Sequence, residues 1–161
     1  MDKIPDLCNF KMKNMTETEK TIEPVIRLMN AEDYQPVYAL WTATEGMALR
    51  SYDDSEEGIT RFLQKNPTSN FVALVEGEIV GVLLCGIDGR RAYIYHTVVR
   101  QDLRGKGIGK KLLASVYKAI EAAGIKKNGL LVLNDNVVGN AFWQSQGWTK
   151  RTDVTYYSKN N

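Results

Sequence analysis

The chain has 161 residues, 43% of them hydrophobic and 25% charged, with a formal net charge of +2, the balance of one soluble globular domain that needs neither disulfides nor a structural metal. So small a charge argues against a nucleic-acid partner, which would need many clustered Lys and Arg residues. No apolar run approaches the roughly 20 residues of a membrane span, so no membrane partner is expected, and Cys8 and Cys85 lack the spacing of a bridge or metal site. Two free thiols and a cytoplasmic location follow as expectations.

Residues 1–24 are polar, carry both signs of charge and show no sustained apolar period, so they read as a flexible arm ahead of a domain over 25–161. Val25 to Leu28 make a short strand, and Asn30 with Asp33 resembles a helix N-cap pairing that opens a helix to about Thr44. Tyr34, Val37, Tyr38, Trp41 and Glu45 fall on one face of that helix. A loop over Glu45 to Asp54 leads to a second helix, opened by Ser55, carrying Ile59, Phe62 and Leu63, and ended near Pro67.

Phe71 to Val75, Ile79 to Ile87 and Ala92 to Val99 are β-branched or aromatic runs separated by Glu76-Gly77 and Asp88-Gly89, which predicts an antiparallel meander. Ile108, Leu112, Val116 and Ile120 then recur every four residues in a helix closed by Ala123-Gly124. Leu130 to Leu133 is expected as a strand, Val137 to Gln146 as a helix stopped by Gly147, and Trp148 to Tyr157 as a final alternating strand. The order is α+β, in a single domain without internal repeats.

Chemistry concentrates in Arg100 to Lys111, between a strand and the most regular helix. Gly105, Gly107 and Gly109 let the backbone approach a ligand closely, and the first-turn amides of the following helix have no intrahelical partners. The helix dipole adds roughly half a positive charge, and Arg104, Lys106, Lys110 and Lys111 add full ones, so an anion such as a diphosphate is expected here; the alternative is a solvated basic turn whose glycines serve only loop geometry, and the strand-to-helix junction favours binding. No Lys-Ser or Lys-Thr pair follows the last glycine and the spacing is G-x-G-x-G, which excludes both the Walker A loop and the Rossmann fingerprint.

At this point the chain resembles the GNAT (Gcn5-related N-acetyltransferase) superfamily. Its pyrophosphate loop reads Arg or Gln, two residues, Gly, one residue, Gly or Ala, matched here by Arg104, Gly107 and Gly109. A second motif, an Asn, a small residue three positions on, a Tyr seven positions on, then Gly and an aromatic, is met by Asn136, Gly139, Trp143, Gly147 and Trp148. The resemblance spans residues 25 to about 158. It implies a mixed, mostly antiparallel sheet flanked by helices and splayed in its middle, between the strand ending near Val99 and the one at Leu130 to Leu133.

It further implies acetyl-coenzyme A as co-substrate and no metal. Arg104, Gly105, Lys106, Gly107, Ile108, Gly109 and Lys110 would hold the diphosphate, while Val98 and Val99 on one side and Asn136 on the other would hold the pantetheine arm. The reaction implied is direct acetyl transfer to a primary amine in a ternary complex; the alternative is a non-catalytic acyl-coenzyme A sensor or scaffold. A homodimer is allowed, since the final strand of such folds often meets a partner.

Trp143 stands where many relatives carry the Tyr that protonates the departing thiolate, and an indole N–H cannot serve as that acid, which makes Trp143 a wall of the site. Tyr156 or Tyr157 on the last strand is a candidate substitute, or simply packing. The amine must also lose a proton. His96, the only histidine, lies on the strand leading to the acetyl site with Tyr93 and Tyr95 expected on the opposite face, and serves as a base or as structure. Glu45, Asp53 and Asp54 lie in the loop that borders the acceptor pocket in this superfamily, either attracting a cationic amine or standing as a solvated acidic loop.

Overall fold

The computed structural model describes residues 23–160. The arm expected over 1–24 lies outside them except for Glu23 and Pro24, as does Cys8. Strands β1 (Val25–Leu28), β2 (Phe71–Val75), β3 (Glu78–Ile87) and β4 (Ala92–Val99) are successive antiparallel neighbours. β5 (Asn128–Leu130) joins β4 in parallel, giving the order β1-β2-β3-β4-β5. Helices α1 (Tyr34–Thr42) and α2 (Glu56–Lys65) precede β2, α3 (Ile108–Ala122) carries the chain from β4 to β5, and α4 (Val137–Ser145) follows. No helix among the described residues is long and apolar enough to cross a membrane.

Local chemistry explains the junctions. The β2–β3 turn puts Glu76 at φ 51 and Gly77 at φ 85, the paired positive angles of a tight hairpin that matches strand twist. Asp88 Oδ1 accepts the N–H groups of Arg90 and Arg91 at 2.7 and 2.6 Å and so closes the β3–β4 turn. Asn30 N–H donates to Asp33 Oδ2 at 2.9 Å, and Ser55 Oγ caps α2 by accepting Gly58 N–H at 3.1 Å.

The sheet has a core on each face. Ala73, Leu83, Cys85 and Ile94 meet Leu112, Leu113, Val116 and Ile120 of α3, with Trp143 of α4. Val72, Val82, Leu84 and Val98 meet Val37, Leu40 and Trp41 of α1 and Ile59 and Leu63 of α2. Covered on both faces, β3 reads as a continuous apolar run. Within α1 the buried face includes Leu40, and Tyr38 turns outward, stacking on Tyr34 at 5.5 Å.

Three expectations need correction. Expected over Leu130 to Leu133, β5 ends at Leu130, and Leu131 and Leu133 are exposed. Its last pair is with Ile94, just short of a bulge that redirects β4. Trp148 to Tyr157 forms no strand: residues 149–160 are exposed coil. Alternation supplies a strand with a face but not with a ladder partner.

The bulge itself overturns the third. Val82 pairs with Val98 and Leu84 with Tyr95, so Leu83 alone faces both His96 and Thr97. His96 takes φ 39, the left-handed region that non-glycine residues seldom occupy. This extra residue breaks the period-2 alternation. His96 packs on Trp41 of α1 at 4.8 Å and Tyr95 on Phe62 of α2 at 5.9 Å, so the two share a face of the sheet instead of opposing each other.

Candidate active site

Beyond Ile94 the strand β4 has no β5 partner, and the space that opens is a cavity of about 970 Å³. Val98 and Val99 form one wall, and Leu133, Asp135 and Asn136 another. The start of α3 and Thr44 to Met47, just past α1, line it as well.

The glycine loop has the geometry its spacing suggests. Gly105 and Gly107 sit at φ 76 and 81, and Gly107 is the N-cap of α3, so a side chain at either would strain the turn. Gly109 answers a different need. A Cβ there would meet the Phe142 ring at 3.3 Å, so its absence lets α4 lie against the first turn of α3.

Among the described residues Arg104, Lys106 and Lys110 pair with no carboxylate, which leaves three cations for an anion at this helix N-terminus. Lys111 is spent on Glu23, and Arg100 on Glu78 and Asp102. Arg104 Nε donates to Val99 O at 3.0 Å, which ties the loop to the end of β4.

Asn136 caps α4, its side-chain oxygen accepting Gly139 N–H at 2.8 Å. A Cβ on Gly139 would crowd that side chain at 2.9 Å, the physical reason for a small residue three positions on. A Cβ on Gly46 would come within 3.5 Å of Asn136 Nδ2, so the loop after α1 reaches across to α4. Trp143 is both wall and core: 8% exposed, it lines the cavity and packs edge-on to Phe142 and Trp148 at 5.1 and 5.2 Å.

Of the residues expected at the cofactor, Val98, Val99, Arg104, Gly105, Gly107, Ile108, Gly109, Lys110, Asn136 and Trp143 all line the cavity, while Lys106 stands outside it. Glu45 lines it too. Asp53 is exposed, and Tyr156 and Tyr157, 70% and 87% exposed, lie on the C-terminal coil outside the lining.

His96 and Asp54 meet although 42 residues apart: His96 Nε2 lies 2.5 Å from Asp54 Oδ1. The other carboxylate oxygen accepts Arg50 N–H at 2.6 Å, and the carbonyl of Asp54 accepts Tyr34 O–H at 2.9 Å. Burial pushes the Asp54 carboxyl upward, but the His96 and Arg50 hydrogen bonds outweigh it and hold the group below the usual carboxylate range. Thr97, next in the chain, lines the cavity, its buried Oγ1 having no hydrogen-bond partner among the described residues.

Sequence reasoning missed Gly46, Met47, Thr97 and Phe142 on the lining. An aromatic three positions beyond the small Gly139 is a usable signal for Phe142, whereas the loop residues enter through a contact across the fold that no local spacing records.

Residues 32–148 match the sequence model of the acetyltransferase (GNAT) family. An acetyltransferase of Pectobacterium atrosepticum is 38% identical over 111 residues, 69% of this chain and 77% of that protein. Among solved structures, the PaiA N-acetyltransferase of Thermoplasma acidophilum in complex with coenzyme A superposes with a TM-score of 0.69 at 19% identity, covering 78% of this chain and 89% of that one. An acetyltransferase solved with a coenzyme A-acetylneamine bisubstrate analogue gives 0.69 at 19% identity, covering 86% and 99%.

Proposed function

Because the chain belongs to the acetyltransferase (GNAT) family, we propose that it passes an acetyl group from acetyl-coenzyme A directly to a primary amine inside a ternary complex. The observation that carries this reading is the cavity lined by β4, the start of α3 and α4, which holds Arg104 and Lys110, paired with no carboxylate among the described residues, and Thr97 of the β4 bulge.

In this reading the diphosphate lies on the α3 N-terminus, held by the amides of Gly107 to Gly109 and by Arg104 and Lys110, with Lys106 adding charge from outside the cavity. The pantetheine arm follows Val98 and Val99 along the edge that β5 leaves bare, and Asn136 steadies it from α4. An amide of the β4 segment faces the thioester oxygen as charge develops on it; one such donor is worth about 2.7–4 kcal/mol. Holding both substrates in line supplies about 7–11 kcal/mol of the barrier. With Trp143 at the leaving-group position, the thiolate departs without a side-chain acid there, forgoing roughly 10² to 10⁴ in rate.

Calorimetric titration with acetyl-coenzyme A tests the reading. Gly107→Glu would strain the turn as well as repel the ligand, so Lys110→Glu is the cleaner variant. Removing one charge-assisted contact, worth about 1.5–3 kcal/mol, weakens binding roughly 10- to 100-fold. Thiol release with primary amines follows. Folded wild-type protein that fails to bind acetyl-coenzyme A overturns the reading; binding without turnover of any amine identifies a holding module instead.

A further inference from the structure

We propose that His96, oriented by Asp54, takes the proton from the acceptor amine, and that this pair sets a preference for amines that arrive as ammonium ions. The inference rests on the transfer reaction proposed above.

Four observations meet here. The imidazole is pinned, with Nε2 on the Asp54 carboxylate and its ring tilted against Trp41 at 4.8 Å. Both Asp54 oxygens are occupied, one by His96 and one by Arg50 N–H, and the residue is 5% exposed. The buried carboxylate is an acceptor only, so Nε2 carries a hydrogen, and in the neutral ring the lone pair is on Nδ1. Among the described residues Nδ1 has no hydrogen-bond partner, and the side chain is 20% exposed.

The placement is costly and specific. His96 sits at φ 39, a region that non-glycine residues seldom occupy, and such strain clusters at working sites. Without the bulge, His96 would project to the α3 face with Ala92 and Ile94; with it, the ring stands beside the loop between α1 and α2. Its chain neighbours Thr97 and Val98 form the cavity wall, and Glu45 lines the same cavity. The groups around the imidazole are Asp54 and Arg50 from that loop, Tyr34 acting through the Asp54 carbonyl, and the uncharged Trp41 from α1.

The proton balance is complete. An ammonium gives one proton to Nδ1, directly or through one water, and the freed lone pair forms the C–N bond to the thioester carbon. The C–S bond breaks with its electrons on sulfur. The second proton, from the nitrogen of the tetrahedral intermediate, goes to the thiolate, and His96 returns the first to solvent.

His96→Gln tests this, since a Gln amide can still donate to Asp54 but cannot accept and release a proton at neutral pH. With acetyl-coenzyme A and either a peptide α-amine (pKa about 8) or a lysine side chain (about 10.4) as probe, kcat/KM at pH 7 falls 10²- to 10⁴-fold, and acetyl-coenzyme A affinity is unchanged. The deficit narrows as pH approaches the amine pKa, where the substrate arrives neutral, and it is larger for the lysine amine. Asp54→Asn, which removes the carboxylate that fixes the tautomer, moves rate and pH profile in the same direction. A loss that is equal at all pH values, or below about threefold, overturns the proton role and leaves the transfer reading standing. Wild-type protein that binds acetyl-coenzyme A yet acetylates no amine overturns both.

Discussion

Cys85 shows how far a single side chain can be silenced by its surroundings. Burial in the α3-side core pushes its thiol up to about 12, so almost no thiolate exists at neutral pH. Native protein treated with a thiol reagent at pH 8 should therefore leave the Cys85 peptide unmodified by mass spectrometry, with labelling appearing only in denaturant. Asp33 works in the opposite sense. Burial raises its carboxyl, but Arg27, bonded to both oxygens at 2.7 Å, and Asn30 N–H bring it below the ordinary range. Asp33→Asn should cost about 1–3 kcal/mol in urea unfolding at pH 7. Much of the candidate site was legible at this scale: Arg104, Gly107 and Asn136 declare themselves by spacing, because each meets a requirement of its own local backbone, while Gly109 meets one set by Phe142 of α4. The pairing of His96 with Asp54 was not, since a bulge moves His96 to the other face and the contact closes over 42 residues.

Elements were legible where a period of 2 or 3.6 coincided with turn chemistry, as in β2, β3, β4 and α3, whose boundaries fall within a residue or so of those expected. The run at Leu130 to Leu133 and the alternation after Trp148 gave strands where the ladder offers no partner. Gly58 escaped notice altogether. It sits in the first turn of α2 with its backbone against the carbonyls of Tyr52 and Asp53, where a Cβ would lie 2.9 and 2.5 Å away. Gly58→Ala gains up to about 1 kcal/mol of helix propensity, but the overlap with rigid backbone costs about 1–3 kcal/mol, so the variant should be destabilised. Displacing Asp53 also shifts Asp54, so activity should fall further than stability alone explains, while acetyl-coenzyme A titration stays close to wild type.

For the whole molecule, the two buried carboxyls, Asp33 and Asp54, contribute to the response to acid. Both carboxyls sit lower in the folded protein than in the unfolded chain, whose value is about 3.9. Between the two values the unfolded chain binds more protons, so stability rises with pH there. It is fully present above about pH 5 and is lost as pH falls through the folded values. Thermal melts should be level from pH 7 to about 5 and then decline below about 4, and Asp33→Asn should shallow that decline. Acetyl-coenzyme A at a hundred times its Kd should add about 2.7 kcal/mol, raising Tm by about 5–10 °C at roughly 2–4 °C per kcal/mol.

The parallel join of β4 and β5 spans only three residue pairs, and α4 beyond it is held by the packing of Phe142, Trp143 and Trp148 and by the Trp148 indole N–H donating to the Tyr117 hydroxyl of α3. A ligand lying between β4 and α4 completes the sheet in the manner of a missing rung, so cohesion and affinity become two readings of one free energy. The closed seam then strengthens cofactor binding by the same factor by which the bound cofactor favours the closed seam, and a substitution weakens binding only as far as it populates the open seam. Amide exchange in Asn128–Leu130 and Val137–Ser145 should therefore slow on adding acetyl-coenzyme A far more than exchange in β2 or β3.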